Sequence, residues 1–444
     1  MEKETTLVTT PAASAPQWED YARCVHCGLC LNHCPTYRLD GLEADSPRGR
    51  IRQMILVNEG KLEPGETFVR HIDLCLDCRA CETACPSGVE YGRLVEHARA
   101  QIEENYPRPI REHFFRWLFF HHLLPHPRRI VAAALLIRLY QHSGLQRVAR
   151  KSGALRLLGL AEREALLPRV DDHFFFSQLG KVFPSRGPRR ARVALFAGCL
   201  AQVTFTELHE ATIRVLTANG CDVVVPPGQV CCGALAVHAG VRGVAQEMGR
   251  RNVDAFLLAA SVGGAFDAIV TSAAGCGSTL KEYGGLLAGV DSTRAGAFGA
   301  LVRDVSEFLS ELGLSAPLRP VPLRVTYQDS CHLVHGQRVH EAPRKLIRAV
   351  PGVELVEMPQ ADYCCGSAGI YNVTETETSL RILAEKMRHA ASTRALAIIT
   401  ANPGCILQLR AGAALHGTGQ EVLHVVELLD RAMQAHQQRA EKSE

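Results

Sequence analysis

The sequence predicts an α+β protein of several domains: an N-terminal α-helical cysteine-rich domain, a helical linker, and two tandem α/β units with parallel-type sheets. Three observations lead there. At 444 residues the chain exceeds one ordinary domain. Its 17 cysteines fall in two regions, eight between Cys24 and Cys85 and nine between Cys199 and Cys405, with none from 86 to 198. From residue 191 onward, one order of strand-like runs and cysteines occurs twice.

A composition of 47% hydrophobic and 21% charged residues suits a globular chain with developed cores. The opening MEKETTLVTTPAASAPQ has no apolar run of the signal-peptide kind, and residues 1–20 read as a disordered tail. No stretch reaches the roughly 18 uninterrupted apolar residues that a spanning helix requires. The expected location is the cytoplasm, with peripheral contact at the inner face of the cytoplasmic membrane left open. There thiols stay reduced, and cysteines in this number serve metal ligation better than disulfides.

Residues 21–106 carry the strongest motif. CVHCGLCLNHCP (Cys24, Cys27, Cys30, Cys34) and CLDCRACETACP (Cys75, Cys78, Cys81, Cys85) both follow C-x2-C-x2-C-x3-C-P. That run binds [4Fe–4S] clusters: three thiolates wrap three corners of a cube from one loop, and the fourth ligates the other cluster. Cys24, Cys27, Cys30 and Cys85 are therefore expected to hold one cluster, and Cys34, Cys75, Cys78 and Cys81 the second. Zinc also favours CxxC pairs, but as two separated pairs and not as a doubled triple-plus-proline run. Two clusters in one small domain make a short wire for single electrons.

Residues 107–190 form the predicted linker. Over 107–192 there are 17 Lys+Arg against 5 Asp+Glu, a net of +12 in a chain whose total is +3. Pro125 and Pro127 break the stretch into two short helices. Either the apolar faces pack on neighbouring domains with the arginines solvated, or the surface docks on a membrane or an acidic subunit; the packing reading is preferred. No regular basic–aromatic interleaving supports nucleic acid as a partner.

The third region splits into units 191–320 and 321–444. ARVALFAGC leads to Cys199, CDVVVPPGQVCC to Cys231 and Cys232, and FDAIVTSAAGC to Cys276. LRVTYQDSC then leads to Cys331, VELVEMPQADYCC to Cys364 and Cys365, and LAIITANPGC to Cys405. Neighbouring Cα atoms are about 3.8 Å apart, which disfavours a bridge within either adjacent pair, so each pair is expected to offer two thiolates to one centre. In open α/β sheets ligands bind beyond the carboxyl ends of the strands, where all eight cysteines are expected. Whether they hold a further cluster or line an acceptor site stays open. Cys221 has no counterpart and reads as a core strand residue. His332 and His335 read as structural in preference to proton donors or ligands. Lys281 and Tyr283 are candidates for an anion contact or for plain helix surface.

Taken in order, CVHCGLCLNHCPTY, SPRGRI, CLDCRACETACPSGVEY, AAGCGSTLKEYG, CCGSAG and TANPGC resemble the cysteine-rich-domain (CCG) family of redox proteins, which includes heterodisulfide reductase-like subunits. Within it, the chain is most similar to the iron–sulfur subunits of glycolate dehydrogenase, also called glycolate oxidase, over about residues 20–430. The resemblance implies electron relay within a flavin-dependent 2-hydroxy acid dehydrogenase: a flavin in partner subunits takes the hydride from glycolate, and this chain passes electrons singly toward a quinone or another acceptor. The absence of a GxGxxG fingerprint agrees that no flavin sits here, and no catalytic residue is assigned. One departure matters: Thr279 and Gln408 stand where heterodisulfide reductases carry a fifth thiol. The alternatives are a lactate or glycerol-3-phosphate oxidising relative, thiol chemistry of the heterodisulfide reductase kind, or a cluster-based redox sensor.

Overall fold

The structure, a computed structural model, describes residues 15–289 and 291–440. It divides into two compact units: one runs to Arg116 and adds Leu235–Arg242, the other comprises Trp117–Ala234 and everything from Gly243.

The first unit is helical. Two of its helices start where the sequence supplies a proline or a side-chain cap. Cys34 precedes the helix Pro35–Asp40, which has proline in its first turn and ends at Gly41 with φ +65°. Ser46 caps Pro47–Asn58, its hydroxyl accepting from the Gly49 N–H at 2.9 Å. Ile51, Met54, Phe68, Ile72, Leu94, Val95 and Ile102 form the core beneath the cysteine loops, contributed by Pro47–Asn58, Glu66–Asp73 and Tyr91–Asn105. The tail expected over 1–20 lies outside the described residues up to 14. From there the expectation is corrected: Ala15 is buried, Asn58 donates to the Pro16 carbonyl, and Trp18–Tyr21 is helical.

The second unit holds two sheets. The first runs β1-β3-β2-β4-β5, with β1 Val182–Phe183, β2 Ala191–Leu195, β3 Cys221–Val224, β4 Ala268–Thr271 and β5 Val302–Asp304. The second runs β7-β6-β8-β9, with β6 Leu323–Tyr327, β7 Val353–Glu357, β8 Ala397–Thr400 and β9 Glu421–His424. All pairings are parallel except β1 on β3, where Val182 faces Val224 and Phe183 faces Val223. That antiparallel edge departs from the all-parallel expectation and starts the first sheet before residue 191. Two residues are too few to carry a period. The three-residue β5 is too short for the same reason, and the helices after β5 and β9 show their caps. Asp304 accepts the Ser306 N–H while Glu307 accepts the Asp304 N–H. His424 and Glu427 do the same at the second site.

Both sheets share one apolar core. Helix Thr206–Ala218 of the first repeat packs on Val425–Ala440 of the second, and Val305–Leu312 of the first packs on Glu341–Ala349 of the second. Such reciprocal contacts are what a pseudo-twofold axis between two related halves produces. Arg214 adds a hydrogen-bonded ion pair to Asp430 at 2.8 Å.

The linker differs in length from the two short helices expected. Pro125 and Pro127 do break it, but Pro127–His142 runs 16 residues and three shorter helices follow. Ile130 and Ala134 pack with Val170 and Val203, so one face serves the core as expected. The opposite face leaves Leu135, Leu136 and Leu139 at 43, 69 and 62% exposure.

Candidate metal centres

In the first unit, both cysteine loops use left-handed backbone: φ is +54° at His26, +84° at Gly28, +52° at Asp77 and +62° at Arg79. Non-glycine residues accept that conformation only where the surroundings impose it, and successive turns of this kind point backbone N–H groups into a concavity suited to anionic clusters. The Asp77 N–H already reaches Cys75 Sγ at 3.3 Å. The eight thiols sort by depth. Cys34, Cys75, Cys78 and Cys81 are buried, Cys24, Cys30 and Cys85 are partly exposed, and Cys27 is exposed. Cys24 lies within electrostatic reach of Cys85 and Cys27, and Cys81 within reach of Cys78, Cys75 and Cys34, while Cys30 feels both Cys24 and Cys34.

Two cations support the deeper set. Arg50, from the SPRGRI stretch, is fully buried; its Nε donates to the His71 carbonyl at 2.6 Å, and its Nη2 to Thr36 Oγ1 at 3.1 Å. Its Nη1 points at Cys34 Sγ, 3.9 Å away, and Asp45 pairs with it at 3.6 Å. Arg99 donates to the carbonyls of Cys75 and Ile72. A third group comes from the excursion Leu235–Arg242. His238 Nδ1 sits 2.9 Å from Asp77 Oδ2 and 3.1 Å from Glu96 Oε1. Burial opposes charge on this imidazole, but hydrogen bonds to the two carboxylates outweigh it and push the pKa up to about 10. Sequence reading missed all three, because isolated Arg and His carry no spacing signal.

In the second unit β2 and β6 occupy the switch points of their sheets, flanked by β3 and β4 and by β7 and β8. Ligands gather at such points: Cys199 and Cys331 follow these central strands, and the other six cysteines follow the flanking β3, β4, β7 and β8. In the first repeat Cys199 Sγ lies 3.3 Å from Cys231 Sγ, and Cys232 Sγ 3.2 Å from Cys276 Sγ. The second repeat pairs Cys331 with Cys364 and Cys365 with Cys405 in the same way. The adjacent cysteines thus point to different partners, which gathers four sulfurs into an open ring. Shared hydrogens with Cys199 and Cys232, then burial, push the Cys231 thiol well up; in the second ring the hydrogen shared with Cys364 comes first for Cys365, pushed up to about 12. Four converging thiolates are stable only around a cation, which removes their protons outright, so the donor set fits an iron–sulfur group.

The loops are held from behind. In the first repeat Asn252 accepts from the Val230 N–H and donates to the Cys231 carbonyl, while Tyr283 donates to the Cys232 carbonyl at 2.8 Å. Tyr283 is therefore neither helix surface nor an anion ligand. It is fully buried, while Lys281 pairs with Glu307 at 2.8 Å. His335 bonds the Asp362 carbonyl at 3.0 Å and His332 Nδ1 lies 3.6 Å from Cys331 Sγ. Thr279 and Gln408, at the positions of an absent fifth thiol, are buried and turn to the Gly275 carbonyl and to Ser379 and Asn372. Cys221 sits fully buried inside β3, away from the ring.

The chain's relatives agree with this geometry. The 4Fe-4S dicluster domain family matches residues 20–89, and the cysteine-rich domain (CCG) family matches twice, at 193–281 and 325–410. Fold and sites thus define an iron–sulfur redox protein built from one dicluster domain and two CCG domains. The basic middle, residues 111–167, matches the linker region of the glycolate oxidase iron–sulfur subunit. The chain is 45% identical over 415 residues to the probable glycolate oxidase iron–sulfur subunit of Bacillus subtilis (strain 168), covering 91% of this chain and 92% of that one. It is 32% identical over 423 residues to the glycolate oxidase iron–sulfur subunit of Escherichia coli (strain K12), covering 93% and 94%. The chain belongs to the glycolate oxidase iron–sulfur subunit family. Lactate utilization protein A of Geobacillus kaustophilus (strain HTA426) is 32% identical over 245 residues, 54% of this chain and 98% of that protein.

Proposed function

We propose that this chain is the electron-transfer subunit of a glycolate-oxidising dehydrogenase, taking electrons one at a time from a flavin in partner subunits. The observation that carries the reading is the sorting of the dicluster thiols by depth. Cys24, Cys27, Cys30 and Cys85 would hold the outer [4Fe–4S] cluster, and Cys34, Cys75, Cys78 and Cys81 the inner one. The outer loop exposes Val25 and Leu29 beside Cys27, which suits brief docking of a redox partner over that cluster. When bound, the clusters supply one-electron carriers. The protein's own contribution is the buried cations Arg50 and Arg99, which offset the negative charge of the inner thiolate set, and the rings of Cys199, Cys231, Cys232, Cys276 and of Cys331, Cys364, Cys365, Cys405 as further redox centres. The linker match and the full-length relatives favour glycolate over lactate, since the lactate-utilization relatives align with only about half of the chain.

The far end of the path is a membrane acceptor of the quinone class. Among the described residues no helix is long and apolar enough to cross a membrane. Leu135, Leu136 and Leu139 nevertheless face outward on a segment, residues 117–167, that carries eight Lys+Arg against two Asp+Glu. Exposed leucines flanked by arginines match an anionic bilayer surface on the cytoplasmic side.

Iron and acid-labile sulfide per anaerobically purified chain test the assignment. The wild type should hold more than about eight irons, two cubanes' worth. A C85S variant should lose the outer cluster's signal while keeping the inner one. Loss of the inner signal alone would overturn the crossover. For the surface, flotation with phosphatidylglycerol vesicles should fail for L136E/L139E and for neutral phosphatidylcholine vesicles. Equal binding to both lipids would sink the bilayer reading.

A further inference from the structure

The two sulfur rings are built by one repeat, so differences at matched positions stand out. Gly233 packs against Ala245 and Gly366 against Ser379, each so closely that an added Cβ would meet its neighbour at 3.3 and 2.6 Å. These contacts align the helices Arg242–Gly263 and Thr376–Ser392. Seven residues further on, the first helix carries Asn252 and the second Lys386. Both side chains are buried, and both bond the loop that leads into the adjacent cysteines. Asn252 does so as a neutral amide. Lys386 does so with its amine, donating to the carbonyls of Gln360 at 2.7 Å and Ala361 at 3.2 Å.

The second difference lies after the third strand. TSAAGC and TANPGC align Ala273 with Asn402. Asn402 Nδ2 donates to Cys405 Sγ at 3.4 Å, and its Oδ1 accepts from the Gly275 N–H, beside Cys276, at 3.5 Å. An alanine side chain can do neither. Gln337 also crosses between the repeats, donating to the Ala274 carbonyl at 2.9 Å. Asn402 therefore touches the backbone next to one ring and a thiol of the other.

Resting on the reading that both rings hold redox centres, we propose that the repeats are redox-inequivalent and that Lys386 and Asn402 make the second-repeat centre the electron-accepting end. Each added electron makes a thiolate-bound centre more negative. A nearby cation, and an N–H donor to a ligating sulfur, favour the reduced form and raise the reduction potential. Burial lowers the pKa of Lys386, while the charges of Cys365 and Cys364 raise it, so thiolates at the centre favour its ammonium form. One electron leaves the first-repeat centre and enters the second; no bond forms or breaks and no proton moves. Both residues act through the centre's environment and are positioning residues.

The test is a redox titration of anaerobically prepared full-length protein followed by electron paramagnetic resonance, with C276S and C405S assigning each signal to its repeat. In the wild type the second-repeat signal should appear at the higher potential. N402A and K386M should each lower that midpoint alone, by about tenfold in the reduced-to-oxidised ratio at fixed poise, or 59 mV for a one-electron couple. A273N should raise the first-repeat midpoint and narrow the gap. Unshifted midpoints in N402A and K386M, with iron content equal to wild type, overturn the inference and leave the centres standing. An iron content of about eight per chain, unchanged in C276S and C405S, overturns both the centres and the inference together.

Discussion

Arg50 aims its guanidinium at the Sγ of Cys34 from 3.9 Å, beneath the deeper set of thiols, with Asp45 as counter-charge. The arginine is fully buried and bonds Thr36 and the His71 carbonyl at the same time, so it ties the cysteine's helix to the one before the second loop. Arg50→Met should leave Asp45 buried beside His71 without its second partner and remove the cation from the thiolate set. Breaking such a pair costs about 3–5 kcal/mol. The measurement is a thermal melt together with the visible iron–sulfur absorbance, and both should fall. Arg50→Lys should recover the charge but not the fork of hydrogen bonds, and so only part of the loss. Wild-type absorbance in Arg50→Met would show that the charge is dispensable.

His238 makes the first unit sensitive to alkali. Its folded pKa is raised to about 10 from 6.5, so its contribution is full below pH 6.5 and is lost as pH rises through 10. Stability of wild type relative to His238→Gln should be largest near pH 6.5, about 3 kcal/mol, and shrink toward pH 10. A difference constant from pH 7 to 10.5 would show that the imidazole is neutral in the fold.

His209 does the reverse in the second unit. It is buried against the Phe175 ring at 4.7 Å, and burial lowers its pKa to about 4. The unfolded chain takes up the proton at pH 6.5 and the folded chain only near 4, so stability drains across that window as pH falls. His209→Phe should gain on the wild type on the order of 3 kcal/mol between pH 6.5 and 4. Hydrogen exchange in the second unit reads this directly, and an unchanging gap would refute it.

Cys221 and Cys231 test what separates a core thiol from a ring thiol. Cys221→Val replaces one small apolar side chain by another in β3 and should change stability by about 1 kcal/mol while leaving iron content intact. Cys231→Ser should lose iron from the first repeat. Equal iron loss in both variants would place Cys221 in the centre.

Gly366 has φ +90°, and an alanine methyl there would lie 2.6 Å from the Ser379 carbonyl oxygen. Gly366→Ala should cost about 2–3 kcal/mol and displace Cys365 from its ring. Gly417→Ala, also left-handed but with open space around it, should cost only about 1 kcal/mol. Comparable melting points for the two variants would mean that the loop yields.

Much of this protein was legible one residue at a time. Metal ligation by thiolates demands close spacing, so C-x2-C-x2-C-x3-C-P announces its chemistry before any fold exists. Duplication leaves matched offsets, so the two α/β units, their Cys-bearing strand ends and the odd status of Cys221 could be read from order alone. What stayed hidden was local in space but distant in sequence. β1 and β5, of two and three residues, are too short to show a period. The buried arginines, the His238 triad and the anchors Asn252 and Tyr283 reach the cysteine loops from residues far along the chain, and no spacing encodes that. The linker's two faces also separated only in three dimensions, with Ile130 turned into the core and Leu136 turned out. Sequence by itself determined which atoms are available to bind metal, because ligand identity is a property of single side chains. The tertiary structure alone decided which thiols meet, how deep each set lies and which cations stand behind them, because electrostatic and packing energies depend on distance through space.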